Sequence, residues 1–324
     1  MGTQPLRIVF MGTPQFAATI LEKLVADDSV EVVAVYTQPD RPAGRGKKLK
    51  ASEVKELALA RGITVHQPVH FKDAADIATL TSYAPDFLVV AAYGIILPQA
   101  VLDIPLQMPI NVHGSLLPKY RGAAPIQRAI MQGEVVTGVT IMRMEAGLDT
   151  GPMLMQQAMG IDINETASQL HDELSAAGAD LLLETLQRLQ QGKIRQLAQD
   201  DALSTYAARL TKQEGAVDFS QKCSAVHAHI RGVTEWPGAH ATLEREGQEA
   251  LTIGLRPGIY PFSAPFEAGT PPGTIGGVED DRLLVACADG WYAFTLLRPA
   301  GKKNMDGKAF HNGYVAQHPA ARFR

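Results

Sequence analysis

Cysteine is almost absent: Cys223 and Cys287 are the only two among 324 residues. A pair of thiols supplies neither a disulfide framework nor a Cys-based zinc cluster, and it fits a reducing, cytoplasmic setting. Long apolar runs are missing as well. The longest, Phe87 to Leu97, falls well short of the ~20 residues a membrane helix needs. The start, Met1 to Pro5 followed by Leu6-Arg7-Ile8-Val9-Phe10, lacks the basic opening and extended apolar stretch of a secretory signal. A soluble, unprocessed, unanchored protein is expected. There is no excess of one charge: 30 Lys and Arg stand against 34 Asp and Glu, a formal net charge of -4. That balance excludes a generally basic nucleic-acid coat, and with 46% hydrophobic residues it argues against a disordered chain. The G-x-G-x-x-G fingerprint is absent too, which disfavours a dinucleotide dehydrogenase.

What is present is a core large enough for two domains at ~100 to 200 residues each. Leu6 to Phe10, Val30 to Tyr36, Ile63 to His66, Asp86 to Ala92, Pro109 to Val112 and Val139 to Met144 read as strands, several of them apolar on both faces. Such strands belong to a parallel sheet covered by helices. Gln15 to Ala26, Ser52 to Arg61, Ala74 to Tyr83 and Ala124 to Gln132 read as the intervening helices, giving repeated βαβ units. Gly12-Thr13-Pro14 reads as a tight turn, a threonine N-cap and a proline at the first helical position. A long amphipathic helix follows from about Thr166 to Gln191, with Leu170, Leu174, Leu181, Leu182, Leu186 and Leu189 on one face. A polar stretch to about Arg209 reads as a linker. Beyond it lie a short helix near Ala225 to Val233 and short strands such as Ala250 to Leu255, Arg282 to Ala286 and Tyr292 to Leu297, favouring a small barrel or sandwich. The expected architecture is α/β: a Rossmann-like, mostly parallel sheet domain over residues 1–192, a linker over 193–208, and a smaller β-barrel domain over 209–324.

Chemistry concentrates in Ile110-Asn111-Val112-His113-Gly114-Ser115-Leu116-Leu117-Pro118. Asn111 and His113 are two apart at a strand end, so their side chains share a face, at the carboxyl edge where open α/β sheets bind ligands. Met144-Glu145-Ala146-Gly147-Leu148-Asp149-Thr150-Gly151-Pro152 adds a mobile loop in which one carboxylate, Asp149, is flanked by Gly147 and Gly151. Taken singly, Asn111 reads better as a turn cap, His113 as a satisfied core histidine and Asp149 as an Asx-turn residue. Together they gain weight, because Asn is a neutral donor suited to an oxyanion while His and Asp suit proton movement near neutral pH. No G-x-S-x-G elbow accompanies them and neither cysteine lies in these motifs, so direct transfer between bound substrates is expected rather than a covalent enzyme intermediate. A third segment, Thr37 to Lys50, carries Arg41, Arg45, Lys47, Lys48 and Lys50 against Asp40 alone. Its prolines and glycines are expected to keep it from being helix or strand. A solvated surface loop is the usual reading of such a run; its place after an early strand, near the ligand edge, favours phosphate contact.

Asn111 to Pro118, Arg121-Gly122-Ala123-Ala124-Pro125-Ile126-Gln127 and Gly147-Leu148-Asp149-Thr150-Gly151 together resemble the 10-formyltetrahydrofolate-dependent formyltransferases. The basic segment narrows the resemblance to those members that act on initiator methionyl-tRNA. The resemblance implies an OB-like character for the barrel domain and passage of a formyl group from 10-formyltetrahydrofolate to the α-amine of methionine carried by initiator tRNA, for translation initiation. It also implies a catalytic trio of Asn111, His113 and Asp149, and a folate-binding loop of Ser115, Leu116, Leu117 and Pro118. Ile96 and Leu97 match the apolar segment flanking the pteridine. Arg45, with Arg41, Lys47 and Lys48 around it, matches the position that reaches the tRNA acceptor end. No metal is required, and a monomer is expected. Two rival readings stay open: a formyltransferase for a small amine such as a nucleotide-sugar or ribonucleotide, and a non-catalytic RNA-binding protein. The domain from Arg209 onward has 13 Lys and Arg against 12 Asp and Glu, so positive charge is concentrated in the Thr37 to Lys50 segment rather than spread over the chain.

Overall fold

The computed structural model describes residues 4–43 and 48–324. They divide into two compact units. One takes residues up to Gly122 with Gly138–Met159 and His171–Tyr206; the other takes Ala123–Thr137, Gly160–Leu170 and Ala207–Arg324.

In chain order the first unit and its connections contain β1 (Leu6–Gly12), α1 (Gln15–Val25), β2 (Val30–Tyr36), β3 (Arg41–Ala43), β4 (Lys48–Lys50), α2 (Glu53–Ala60), β5 (Val65–His66), α3 (Ala74–Ser82), β6 (Phe87–Ala91), α4 (Gln99–Leu102), β7 (Met108–His113), β8 (Arg121–Gly122), α5 (Pro125–Met131), β9 (Val136–Arg143), β10 (Met153–Gly160) and α6 (Ala167–Gln190). Seven strands form one sheet in the order β10-β9-β7-β6-β1-β2-β5. β1 pairs in parallel with β2 and β6, β2 with β5, and β6 with β7, while β9 runs antiparallel to β7. β6 is buried at all five positions of its Phe-Leu-Val-Val-Ala run, as a central strand covered on both faces requires. The order reverses between β1 and β6, which creates a crevice beyond their carboxyl ends, where α/β sheets take ligands.

The helices bury the faces their spacing predicts. On α1 these are Phe16, Ala17, Ile20, Leu21 and Leu24, and on α6 Leu170, Leu174, Leu181, Leu182 and Leu186. α6 approaches the sheet closely at Gly178: a Cβ there would meet Val112 Cγ1 at 2.9 Å and Val139 Cγ1 at 3.3 Å. Val112 lies between Asn111 and His113 on β7, so the helix braces the face opposite those two side chains.

Three local expectations change. Pro14, not Thr13, is the N-cap of α1 and its carbonyl accepts from Ala17 and Ala18; the Thr13 hydroxyl instead donates to the Tyr93 carbonyl at 3.0 Å, tying together the two loops that flank the crevice. The basic segment holds a short antiparallel ribbon, with Arg41 opposite Lys50 and Pro42 opposite Leu49. A two-stranded edge tolerates a proline, whose missing N–H need not face a partner. β10 and α4 are elements that the sequence pattern did not separate from their loops.

The second unit packs α5 against α7 (Cys223–Gly232). After β11 (Tyr206–Ala207), its strands are β12 (His240–Glu244), β13 (Leu251–Leu255), β14 (Ile275–Glu279), β15 (Arg282–Ala286), β16 (Trp291–Phe294), β17 (Leu296–Pro299), β18 (Met305–Asp306) and β19 (Arg322–Phe323), with α8 (Gly307–Phe310) before the last. They form a five-stranded sheet, β18-β17-β13-β12-β19, and a three-stranded one, β14-β15-β16, with neighbouring strands antiparallel throughout both. A bridge from Thr274 to Arg322 joins the two sheets. The strand expected over Tyr292 to Leu297 breaks at Thr295, its halves entering different sheets, as corner strands of small barrels do.

Buried polar groups stitch this unit internally. The buried His227 ring lies 2.8 Å from the Tyr292 hydroxyl through Nδ1 and 2.8 Å from the Ile163 carbonyl through Nε2. A carbonyl only accepts, so Nε2 carries the proton and Nδ1 accepts from Tyr292, whose oxygen in turn accepts from Gly258 N–H at 2.7 Å. Burial, with Arg231 nearby, pulls the His227 pKa from 6.5 down to about 4. Arg231, also buried, donates to the Glu165 carbonyl at 2.7 Å. Among the described residues, no helix is long and apolar enough to cross a membrane.

Candidate active site

β7 ends at the edge of the sheet with Asn111 and His113, both buried and both turned to the face away from Val112. Asp149 reaches them from the loop between β9 and β10. Its Oδ1 accepts from Asn111 Nδ2 at 3.3 Å, its Oδ2 accepts from the Gly122 backbone N–H at 2.9 Å, and Oδ2 lies 3.8 Å from His113 Nδ1. The three side chains expected to act together therefore meet.

The histidine is fixed from its other side. His113 Nε2 is 2.9 Å from the Tyr120 carbonyl, and because that oxygen can only accept, Nε2 holds a proton. In the neutral ring the lone pair then sits on Nδ1, on the Asp149 side. A second proton arriving at Nδ1 would make an imidazolium flanked by a carboxylate and a carbonyl.

Asp149 adopts φ +53°, a left-handed backbone that costs an ordinary L-residue roughly 1–2 kcal/mol and that Asp tolerates better than most. The surrounding loop is shaped to impose it. A Cβ at Gly151 would collide with the Arg143 carbonyl, so only glycine lets the chain turn back there. The loop expected to be mobile is tethered: Gln199 Nε2 donates to the Asp149 carbonyl at 2.8 Å and to the Gly151 carbonyl at 2.7 Å.

The loop after β7 divides its side chains. Ser115 is fully buried and its hydroxyl donates to the Lys119 carbonyl at 2.7 Å; Leu117 packs with Met142 and Met153; Leu116 and Pro118 are half-buried. Thr140, opposite His113 on β9, organises the segment. Its hydroxyl donates to the Ser115 carbonyl at 2.7 Å and accepts from Leu117 N–H at 3.1 Å and Gln156 Nε2 at 2.9 Å. Ile96 is 93% exposed, whereas Leu97 is packed with Val9, Met11, Tyr93 and Val101. Of that pair, Ile96 is the residue that offers apolar surface outward.

At the basic ribbon, Arg41 is exposed and donates to the Gln38 side chain, and Lys50 pairs with Glu53 at 2.8 Å. Arg45 and Lys47 lie outside the described residues, as does the side chain of Lys48. The ribbon's base is clamped by Lys55, which reaches both Asp40 oxygens at 2.9 and 2.7 Å and Gln67 Oε1 at 2.8 Å. The Lys55 bond, with a second from Gln67, holds the Asp40 carboxyl below its usual range. The segment's one acidic group is thus matched by a lysine from α2.

No motif marks four of the partners: the Tyr120 carbonyl, Gly122 N–H, Thr140 and Gln199. Thr140 sits on a strand whose period could have placed it beside His113. Nothing local marks Gln199, which lies 50 residues from Asp149 in a stretch that reads as linker.

A family model described as formyl transferase matches residues 6–186, and one described as formyl transferase, C-terminal domain, matches 209–315. A methionyl-tRNA formyltransferase of Nitratidesulfovibrio vulgaris (strain DP4) is 54% identical over 97% of this chain and 94% of its own length. One of Pseudomonas fluorescens (strain Pf-5) is 46% identical over 93% and 91%. Among solved structures, a HypX variant from Aquifex aeolicus superposes with a TM-score of 0.63 at 17% identity over 97% of this chain and 48% of its own. The sugar 3N-formyl transferase WlaRD does so at 0.60 and 18%, over 93% and 100%. At these identities the structural likeness concerns the fold; the sequence relatives and family models establish kinship, and the chain belongs to the formyl transferase family.

Proposed function

We propose that this protein transfers the formyl group of 10-formyltetrahydrofolate to the α-amine of methionine on initiator methionyl-tRNA. The observation that carries the reading is the meeting of Asn111, His113 and Asp149 at the carboxyl edge of β7, in a chain about half identical to methionyl-tRNA formyltransferases along nearly its whole length. The catalytic work falls to residues 1–192, residues 193–208 connect, and 209–324 form the OB-like domain, in keeping with family matches over 6–186 and 209–315.

A free α-amine has a pKa of about 7.7 to 8.0, so a useful fraction is neutral and nucleophilic near pH 7. Its nitrogen attacks the formyl carbon, and the carbonyl electrons move onto oxygen. Asn111 has two amide N–H groups. One is held by Asp149, which orients the amide; the other donates to the developing oxyanion. The ammonium proton of the tetrahedral adduct passes to His113 Nδ1. The resulting imidazolium is stabilised by Asp149 at 3.8 Å and by the Tyr120 carbonyl on Nε2. Collapse of the adduct breaks the bond to the folate nitrogen, which takes the proton from His113 as it departs, leaving formamide and tetrahydrofolate. Ile96, Leu116 and Pro118 present apolar surface suited to a flat pteridine, with Ser115 and Leu117 anchoring the loop from within and Leu97 supporting it from the core.

Arg41, Arg45, Lys47 and Lys48 contact phosphates of the tRNA acceptor end. Their support is the local excess of cations in an otherwise acidic half of the chain. The protein acts in the cytoplasm, in keeping with two buried cysteines that form no disulfide, and it acts as a monomer. Mixing the protein with 10-formyltetrahydrofolate and methionyl initiator tRNA should yield formylmethionyl-tRNA, and Asn111→Ala should lose about 10²- to 10³-fold in turnover while remaining folded. No product from competent substrates would refute the function; undiminished turnover by the variant would refute the oxyanion role.

A further inference from the structure

We propose that Gln199 is a positioning residue for this reaction, acting through Asp149. This rests on the formyl-transfer reading above. The segment from Leu197 to Tyr206, with one 3-10 turn at Asp201–Leu203, lies as a strap against both loops that complete the site. Leu197 pairs with Met153 through both backbone groups, and the bonds beyond it converge on two points. Thr205 accepts Tyr120 N–H on its hydroxyl at 2.8 Å and Arg121 N–H on its carbonyl at 2.9 Å, fixing the peptide whose carbonyl holds His113 Nε2. Gln199 straddles the other loop, donating to the carbonyls of Asp149 and Gly151.

The chemistry at position 199 selects an amide. Arg121 Nε donates to Gln199 Oε1 at 2.9 Å, and the same guanidinium donates to Asp201 at 2.8 Å. A guanidinium has no acceptor and a backbone carbonyl has no hydrogen to give. The residue between them must accept on one side and donate twice on the other, which glutamine alone does at this reach. Glutamate would set a second oxygen against two carbonyls, and an apolar residue would leave them without donors. The two bonds span Thr150 and hold the backbone that gives Asp149 its left-handed φ. The carboxylate is thereby aimed at Asn111, His113 and Gly122 N–H. Arg121, Gln199 and the Asp149 loop form one chain of bonds, with the arginine setting the amide's orientation and the amide setting the carboxylate's.

The test is Gln199→Met, close in volume but without donors, measured in formyl transfer by the full-length protein. Misplacing a catalytic group by about 1 Å costs on the order of a hundredfold, so kcat is expected to fall by about that factor with little change in KM for either substrate. A double-mutant cycle with Asp149→Ala separates positioning from general support. If Gln199 works through Asp149, adding Gln199→Met to Asp149→Ala slows the enzyme no further; independent, multiplying losses overturn the proposal, as does an unaffected kcat. Gln199→Glu, which keeps the bond to Arg121, serves if the methionine variant does not fold and should show the same loss. Amide hydrogen exchange supplies a readout that needs no turnover. Gly122 N–H, bound to the Asp149 carboxylate, should exchange faster in both variants. Unchanged protection would overturn the clamp even if the formyl-transfer reading stood, and increased exchange would uphold it even if that reading fell.

Discussion

Acidification should weaken the second unit through a single ring. His227 is buried neutral, with Nε2 donating to Ile163 and Nδ1 accepting from Tyr292, so a second proton has nowhere to go without breaking the bond from Tyr292. Its pKa lies at about 4, against 6.5 for the free side chain. Between those two values the unfolded chain holds a proton that the folded chain refuses, so stability rises with pH across this window and is lost as pH falls through it. At 1.36 kcal/mol per unit, the 2.5-unit gap amounts to about 3 kcal/mol lost between pH 6.5 and 4, with no further loss below. Urea unfolding at closely spaced pH values, comparing wild type with His227→Gln, isolates this group from the carboxylates that titrate in the same range. The glutamine variant should start less stable at pH 7 and lose less on acidification, the curves converging toward pH 4. Parallel curves would show that His227 is not the refusing group.

Gly178→Val should destabilise the first unit by about 1–3 kcal/mol, because even a Cβ meets Val112 at 2.9 Å; a melting temperature equal to wild type would refute the close helix-to-sheet contact. Thr140→Val leaves the Ser115 carbonyl and Leu117 N–H without their shared hydroxyl. It should cost about 1–3 kcal/mol of stability and raise the KM for folate more than that for tRNA, measured by steady-state kinetics. Arg45→Ala should raise the KM for methionyl-tRNA, lessen its dependence on salt and spare folate, since each phosphate neutralised contributes to the salt slope; an unaltered KM would count against the phosphate role.

Much of the first unit was legible because its signals are local. The Phe-Leu-Val-Val-Ala run of β6 has no polar face to misread, and Ser52 caps α2 by accepting Lys55 N–H as its type predicts. Asn111 and His113 could be placed on one face by the strand period alone. What stayed hidden depends on distant partners. Thr13 has every local attribute of a cap, yet its hydroxyl is taken by Tyr93, 80 residues on. The ribbon at Arg41 to Lys50 forms because two short segments pair, which composition heavy in proline and glycine conceals. Leu97 matched a ligand-flanking position by motif, but the packing of β1 and β6 draws it inward. Gln199 carried no sign in its own neighbourhood, because its role is defined by carbonyls that only the folded chain brings within reach.

The chain passes between its two units at Gly122/Ala123, Thr137/Gly138, Met159/Gly160, Leu170/His171 and Tyr206/Ala207. Cutting it in the strap region would not release two self-sufficient halves. The C-terminal fragment would lack the Glu165 carbonyl that receives Arg231, the Ile163 carbonyl that receives His227, and the Arg128 side chain that pairs with Glu214. A fragment starting at Ala207 should therefore recover its fold only when the earlier segments are supplied in trans. Ordered folding of the whole molecule must wait until synthesis has passed Tyr206, whatever the N-terminal sheet has managed by then.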